Sequence, residues 1–335
     1  GGEAAAWLVV SRARLARREY VEAFQCAEEA SRLSREEAGH EERHAEALQA
    51  AAGVLVAWRG DPDFPEGGLA VAFEKAREAA AISKRIGDPL GEISAKRVLA
   101  DIHRVRGRAR DALHTVQAVL HLARDLDDRR LIDAALSAMV QVHVGEGQTE
   151  EALTAMFEEA QLARASQNAR RKLTAFQKVV ALLLELRRAE EALGCAREAR
   201  EVLGRDGDGH AAAGALRLLA EALLARSSRD EALEVAVEGH QLAQQVGDVR
   251  ASTDLLQLIS NIQAEAGNEA AALQALVHKR LTYQAAGWKD EEAAALLSVS
   301  ELLLSVQGPR AAVQQAKEAA ALYRRLQDGD GAAGA

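Results

Sequence analysis

Apolar residues recur at helical spacing along almost the whole chain. Ala192, Ala196 and Ala199, for example, are four and three positions apart and therefore share one face of a helix. Strands have little support, because β-branched runs are few and the frequent residues Ala, Leu, Glu, Arg and Gln favour helices. The pattern predicts an all-α chain.

One short segment repeats with a period of 40 residues. In each copy a central alanine is followed by an apolar residue, from Ala72 to Ala312. An earlier copy at Ala23 precedes Ala72 by 49 residues, so nine extra residues lie in the second repeat. The segment 60–68 is the candidate insertion, because its prolines and glycines cannot continue a helix throughout. The marker alanines of the regular series are Ala72, Ala112, Ala152, Ala192, Ala232, Ala272 and Ala312.

Two breaks in each period divide the repeat into two helices of roughly 15 residues. Gly87, Gly207 and Gly247 share one repeat position, and an aspartate follows each of them. A glycine just past a helix supplies the left-handed C-cap, and the following aspartate can cap the next helix. We therefore predict one array of about eight helix-turn-helix units, followed by a flexible tail at 329–335. The predicted units are 1–38, 39–87, 88–127, 128–167, 168–207, 208–247, 248–287 and 288–328.

These residues resemble the tetratricopeptide repeat. That motif places a large apolar and then a small residue late in its first helix, as in Leu99-Ala100, and small residues in its second helix. Val180 and Ser260 depart from the pattern at the small position. The long period is similar to that of the subclass in kinesin light chains and spindle-orientation adaptors. HEAT-type repeats share the length, but the small residues favour the tetratricopeptide interpretation. The resemblance implies a right-handed α-solenoid of about eight antiparallel helix pairs.

In this family the first helix of each unit lines the inner, concave surface. The resemblance therefore implies a groove for a protein or peptide, formed by residues fifteen and eleven positions before each marker alanine. These two positions are one helical turn apart and face the same way. A solvated face without a ligand is the alternative. The polar members of this set are Arg97, Asp101, Ser137, Gln141, Gln177, Arg217, Glu221, Gln257, Asn261 and Glu301.

Two further places could contact a partner. Trp58 and Phe64 flank or lie in the insertion, where an exposed aromatic would be a loop anchor; packing on their own unit is the alternative. The last predicted helix, 310–326, carries apolar residues but no capping helix follows it. Because terminal repeats normally need a polar cap, we expect this end to pack on another chain or on a missing continuation.

Composition and charge exclude some classes of function. The net charge is −9, and residues 201–335 carry 12 basic and 19 acidic groups, which argues against nucleic-acid binding. The longest apolar run, Val179–Leu184, is far shorter than the roughly 20 residues of a membrane-spanning helix. Cys26 and Cys195 cannot define a disulfide framework. We expect a soluble, intracellular protein, cytoplasmic or organellar, and the start at Gly1 without methionine suggests a processed or excised piece of a longer protein.

One catalytic motif matches. His40, Glu41 and His44 fit H-E-x-x-H, in which two histidines one turn apart bind zinc and the glutamate acts as a base. The flanking residues are highly polar and no third ligand is evident, although catalytic zinc needs both a third ligand and a walled cavity. We interpret the match as chance and expect no metal, no cofactor and no catalysis.

The sequence favours a non-catalytic scaffold or adaptor that binds a peptide or helix in its concave groove. Two alternatives stay open. The chain could be a structural subunit of a large assembly, or the sensor or regulatory region of a larger protein. Its partner and pathway cannot be deduced from these residues.

Overall fold

In the computed structural model, residues 2–36 and 40–332 are described, with the side chains of 327–332 left aside. Over these ranges the chain forms sixteen α-helices and no strand. The first eight are α1 Gly2–Ala16, α2 Tyr20–Glu36, α3 Glu41–Trp58, α4 Gly68–Ile86, α5 Pro89–Val105, α6 Ala109–Asp125, α7 Arg129–Gly145 and α8 Thr149–Arg164. The others are α9 Ala169–Glu185, α10 Ala189–Arg205, α11 Gly209–Ala225, α12 Arg229–Gln245, α13 Val249–Glu265, α14 Glu269–Ala286, α15 Lys289–Val306 and α16 Pro309–Ala332.

The chain divides into two compact units, Gly1–Glu159 and Ala160–Ala335, with the boundary inside α8. In both units helices pack on the next one in the chain, for example α3 on α4 and α11 on α12. Odd-numbered helices are here called A helices; several of them also contact a neighbouring A helix, as α3 contacts α5 and α9 contacts α11. Even-numbered helices are called B helices. None of the helices in the described ranges is long and apolar enough to cross a membrane.

The marker alanines lie at the helix contacts. All seven of the regular series are buried, from Ala72 at 0% exposure to Ala312 at 6%. A side chain this small lets the backbones of neighbouring helices approach closely. Ser260 stands at the A-helix position that the motif gives to a small residue. Its hydroxyl is hydrogen-bonded, because the Ser260 Oγ donates to the carbonyl of the marker Ala272 at 3.0 Å. The departure from the motif at Ser260 is therefore compatible with burial.

The connections between repeats, here called joints, have the glycine and aspartate caps that the repeat predicts. Gly87, Gly207 and Gly247 adopt left-handed backbone conformations with φ of 72°, 73° and 73°. Asp208, which follows Gly207, caps α11 by accepting hydrogen bonds from the amides of His210 and Ala211. An aspartate or asparagine caps α5, α7, α9 and α13 in the same way. The glycine–aspartate joints predicted from the repeat are thus confirmed.

The insertion packs against its own repeat and, through Trp58, against Tyr20 of the first repeat. Helix α3 ends at Trp58 and α4 begins at Gly68. Trp58 is only 7% exposed; its ring stacks on Tyr20 at 6.4 Å between centroids and meets the Phe64 ring edge-on at 6.1 Å. A Cβ on Gly68 would lie 2.6 Å from the Phe64 ring, so the glycine makes room for it. Both rings are therefore packed, Trp58 buried and Phe64 partly buried, and a role of this loop as an anchor stays a prediction.

The last helix is longer than the sequence predicts. Helix α16 extends to Ala332, so the first residues of the predicted tail 329–335 are helical, and residues 333–335 lie outside the described residues. On α16, Ala312 and Ala319 are buried whereas Val313 is 48% exposed. End-to-end packing through this helix stays a prediction.

A buried histidine makes the stability of unit 2 depend on pH. His240 on α12 is 8% exposed, its Nδ1 lies 3.1 Å from the Ser252 Oγ, and its ring meets that of His278 edge-on at 5.2 Å. Burial, aided by His278, lowers the pKa of His240 below its ordinary 6.5. The unfolded chain therefore binds more protons than the folded chain at pH below about 6.5, and stability falls as the pH drops through that value.

Replacing His240 by glutamine should flatten this dependence. We expect the urea midpoint of the wild type to fall between pH 7.5 and pH 5 by more than that of His240→Gln. The exposed His114 supplies the control, because His114→Gln should keep the wild-type dependence. Equal pH dependence in wild type and His240→Gln would contradict the assignment.

Candidate functional site

Three consecutive A helices of unit 2 enclose a cleft of about 660 Å³. Its floor is formed by small residues of the middle helix α11, Ala211 and Gly214, with Leu173 of α9 packed over the glycine. A Cβ on Gly214 would lie 2.5 Å from a Leu173 methyl group, so a larger residue would disturb that floor. The polar residues around the cleft are Arg170, Thr174, Gln177, Asp208, His210, Arg217, Asp248, Arg250 and Asp254.

Gln177 and Arg217, two of the predicted groove residues, therefore line one cleft. The guanidinium of Arg217 pairs with the Glu221 carboxylate one turn further along α11. Burial raises the pKa of Glu221, and Arg217 opposes that rise. Because this arginine is already neutralised, Arg217 is a positioned donor rather than a free charge.

Two other arginines face the cleft without a partner. Arg170 near the start of α9 and Arg250 near the start of α13 are exposed, and neither guanidinium makes a hydrogen bond or ion pair with any residue in the described ranges. Two of the aspartates are engaged at helix ends: Asp208 caps α11, and Asp248 both caps α13 and lies 3.0 Å from the His210 Nδ1. The unpaired charges of the cleft are thus Arg170, Arg250 and the exposed Asp254.

Beyond the cleft, the A-helix face of unit 2 carries a chain of hydrogen bonds. The Lys279 Nζ donates to the Gln257 Oε1 at 2.9 Å, and the Gln257 Nε2 donates to the Asn261 Oδ1 at 2.9 Å. Burial lowers the pKa of Lys279, with Asp254 opposing. Gln257 and Asn261 were both predicted as groove residues, and the structure brings them together with Lys279, a B-helix residue that the sequence pattern did not suggest.

The remaining predicted residues lie outside this cleft. Asp101 pairs with Arg104 on its own helix at 3.5 Å, and the Ser137 hydroxyl donates to Glu159 at 3.1 Å. Both contacts are within unit 1. Neither this cleft nor a similar cleft in unit 1 is lined by Arg97, Asp101, Ser137, Gln141 or Glu301.

Unit 1 contains an equivalent cleft of about 400 Å³ between α1, α3 and α5. Gln49 and Gly53 line it and stand nine and thirteen residues after the N-cap His40, as Arg217 and Glu221 stand after Asp208. The sequence did not predict them, because extra residues lie between them and the marker Ala72. Counting from the helix start would have found them.

The same counting finds the missed residues of the unit 2 cleft. His210, Gly214, Arg217 and Glu221 are spaced by four, three and four residues and form one stripe along α11. The groove residues predicted from the repeat include only the second half of this stripe, such as Arg217 and Glu221. Arg170 on α9 and Arg250 on α13 each stand two residues after the N-cap, as His210 does on α11, and so occupy the first half of the equivalent stripes.

The histidines of the H-E-x-x-H match lie in unit 1, where His44 packs against its neighbouring helices. The His44 Nδ1 is 3.2 Å from the Ser31 Oγ of α2, and its Nε2 is 3.9 Å from the Glu78 carboxylate of α4. His40 stands at the N-cap position of α3 without a capping side-chain bond. Within the described ranges no three His, Cys, Asp or Glu side chains converge as metal ligands. His44 thus joins neighbouring helices in unit 1.

Comparison with known proteins yields fold relatives. No protein-family model and no curated protein matches the sequence. Among solved structures, the apo form of RapI is 14% identical, with 98% of this chain and 88% of that chain covered and a TM-score of 0.60. A STAND-type signal transduction ATPase with a tetratricopeptide repeat sensor from Pyrococcus horikoshii is 13% identical over 92% of this chain, with a TM-score of 0.52. The chain covers 53% of that protein's length. The chain therefore has the tetratricopeptide-like helical-repeat fold that its 40-residue period predicts.

Proposed function

We propose that this protein is a non-catalytic scaffold or adaptor, and that the cleft of unit 2 holds an extended segment of a partner polypeptide. The observation that carries the proposal is the pair of partnerless arginines, Arg170 and Arg250, on the two outer helices of a cleft floored by small residues. An extended segment presents backbone carbonyls that such donors can bind. At about 660 Å³ the cleft is also within the usual size of a binding site.

The polarity of the cleft favours a peptide over an apolar small molecule. Donors at Arg170 and Arg250 alternate with the acceptor Asp254 and the amide of Gln177. An extended peptide offers donors and acceptors in alternation along its backbone, whereas an apolar ligand would leave these groups without water or a partner. The neutral balance of three arginines against three aspartates, 3 − 3 = 0, suits a segment without a large net charge.

A second candidate is the sensor region of a larger protein. It is favoured by the likeness in fold to the Pyrococcus protein, which has a tetratricopeptide repeat sensor. The part of that protein that this chain matches is 53% of its length. Both candidates require a ligand on the A-helix face, so the cleft experiment below tests what they share.

Filling the cleft should abolish binding. Thr174 is exposed, lines the cleft and donates its hydroxyl to the Arg170 carbonyl one turn earlier at 2.9 Å. A tryptophan at this position would occupy the space between the A helices. We expect peptides selected from a displayed random dodecamer library on the wild type to bind Thr174→Trp at least tenfold more weakly, as measured by isothermal titration calorimetry.

Thr154 provides a matched control. It is also exposed on a helix, and its hydroxyl donates to the Glu150 carbonyl at 2.9 Å, but it lies on the B helix α8. Thr154→Trp should leave the affinities unchanged. Selected peptides that bind wild type and Thr174→Trp equally well would reject the cleft as the binding site.

A further inference from the structure

The start of α15 lacks the side-chain cap that five other A helices have; His40 at the start of α3 makes no such cap either. At the A-helix N-cap, α5, α7, α9, α11 and α13 have an aspartate or asparagine that accepts a backbone amide. Gly287 adopts the usual left-handed conformation with φ of 75°, but Trp288 follows it and makes no capping bond. Losing a cap destabilises a helix. Residues that break such a local rule are expected mainly at functional or strained sites.

Trp288 forms half of an aromatic shelf. Its ring stacks on Tyr283 with 6.0 Å between centroids and 26° between planes, and Trp288 is still 38% exposed. The Lys279 Nζ lies 5.9 Å from the centroid of the Tyr283 ring. The Tyr283 ring is therefore already next to a cation, whereas part of the Trp288 side chain is exposed to solvent.

The shelf belongs to a cleft of about 530 Å³ that continues the cleft of unit 2. Arg250 and Asp254 line both. A polypeptide leaving the first cleft past these two residues of α13 would therefore arrive beside Trp288. This continuity places the shelf within reach of the segment proposed above.

The charges beside Trp288 favour a cation. Asp290 and Glu291 lie in the first turn of α15, are exposed, and form no ion pair with any residue that the structure describes. The cleft has three carboxylates, with Asp254 as the third, against two cations, Arg250 and Lys289, giving 2 − 3 = −1. An aromatic face next to unpaired carboxylates is a binding environment for a guanidinium, which stacks on tryptophan and pairs with a carboxylate through its planar fork.

We propose that the aromatic shelf is the subsite for an arginine side chain of the bound segment. This inference rests on the proposed function, since it assigns the residue that the segment carries at the α13–α15 end of the groove. Arginine stacks on Trp288 and its guanidinium binds Asp290 or Glu291. Lysine fits less well because its ammonium has no plane to stack and no fork to match a carboxylate.

The three tryptophans of the chain make a direct test. In protein labelled with 5-fluorotryptophan, Trp7, Trp58 and Trp288 give three fluorine resonances, and Trp58 is buried in unit 1. Titration with the acetylated, amidated nonapeptide (Gly-Ser-Arg)₃ should shift the Trp288 resonance saturably and leave the other two in place. The same peptide with citrulline, which keeps the shape but not the charge, should bind at least tenfold more weakly.

Two variants separate binding from folding. Trp288→Asp removes the shelf but places at the N-cap of α15 the residue that caps other A helices. The melting temperature should therefore stay within about 3 °C of the wild type. Binding of the arginine peptide should fall at least tenfold. Trp288→Phe keeps an aromatic face and should retain most of the affinity. Equal binding of the arginine and citrulline peptides, or undiminished binding to Trp288→Asp, would overturn the subsite. If library-selected peptides still depended on Thr174 in that case, only the arginine assignment would fail and the proposed function would stand.

Discussion

Leu255→Ala is expected to lower the free energy of unfolding by about 2–5 kcal/mol. Leu255 is fully buried on α13. Its two terminal methyl groups would lie 3.2 Å from a Cβ on Gly239 of α12, and the Leu216 Cβ of α11 would lie 3.1 Å from the same point. Leucines from two A helices therefore fill the space beside a glycine of the B helix between them. Removing one of them leaves a cavity that three rigid helices cannot close.

The measurement is the urea-induced unfolding transition followed by circular dichroism. Leu304→Ala is the control, because Leu304 is 55% exposed on α15 and its loss should change the midpoint little. Equal shifts for the two variants would show that the contact at Gly239 does not hold α11, α12 and α13 together. Since Arg217 follows Leu216 directly, a cavity here should also weaken peptide binding in the unit 2 cleft.

Asp206→Ala is expected to cost about 3 kcal/mol of unfolding free energy. The Lys172 side chain of α9 is only 8% exposed, and its Nζ lies 3.0 and 2.8 Å from the two oxygens of Asp206, the residue that follows α10. Without the carboxylate the buried ammonium loses its counter-charge. The cost lies at the low end for buried pairs, because the Asp206 side chain is 26% exposed and water can replace part of the interaction.

A double substitution tests whether the cost comes from the stranded charge. Lys172→Met combined with Asp206→Ala should recover most of the stability lost in Asp206→Ala, since no unpaired charge is left in the fold. The exposed pair Arg205–Glu201 on α10 supplies the control, and Glu201→Ala should have a much smaller effect in the same urea titration. If the double variant were as unstable as Asp206→Ala, the loss would have to come from packing instead.

The pair also bears on the proposed binding site. Lys172 precedes Leu173 and Thr174, both of which line the unit 2 cleft. Holding α9 to the end of α10 fixes the outer wall of the cleft relative to α11, which α10 also contacts. We therefore expect Asp206→Ala to weaken the binding of selected peptides even where the protein is still folded.

The candidate site was predictable only in part. Gln177 and Arg217 follow from the repeat because the spacing from the marker alanine is constant where no insertion intervenes. Gln49 and Gly53 escape the same counting, since the insertion at 60–68 shifts the marker relative to the A helix. The sequence shows that Trp288 replaces a capping aspartate, but not that Tyr283 stacks on it or that Arg250 joins the two clefts.

The sequence by itself determined the helices, their pairing and their joints. Helical spacing, buried alanines such as Ala232 and capping groups such as Asp208 act over a few residues, and the 40-residue period repeats their effect. The tertiary structure decided which side chains meet from different repeats. Trp58 is buried because Tyr20 and Phe64 come to it from other segments, and Arg170 faces Arg250 across a cleft only because α11 between them has small residues. Such contacts depend on the volumes of residues distant in the chain, which local patterns do not encode.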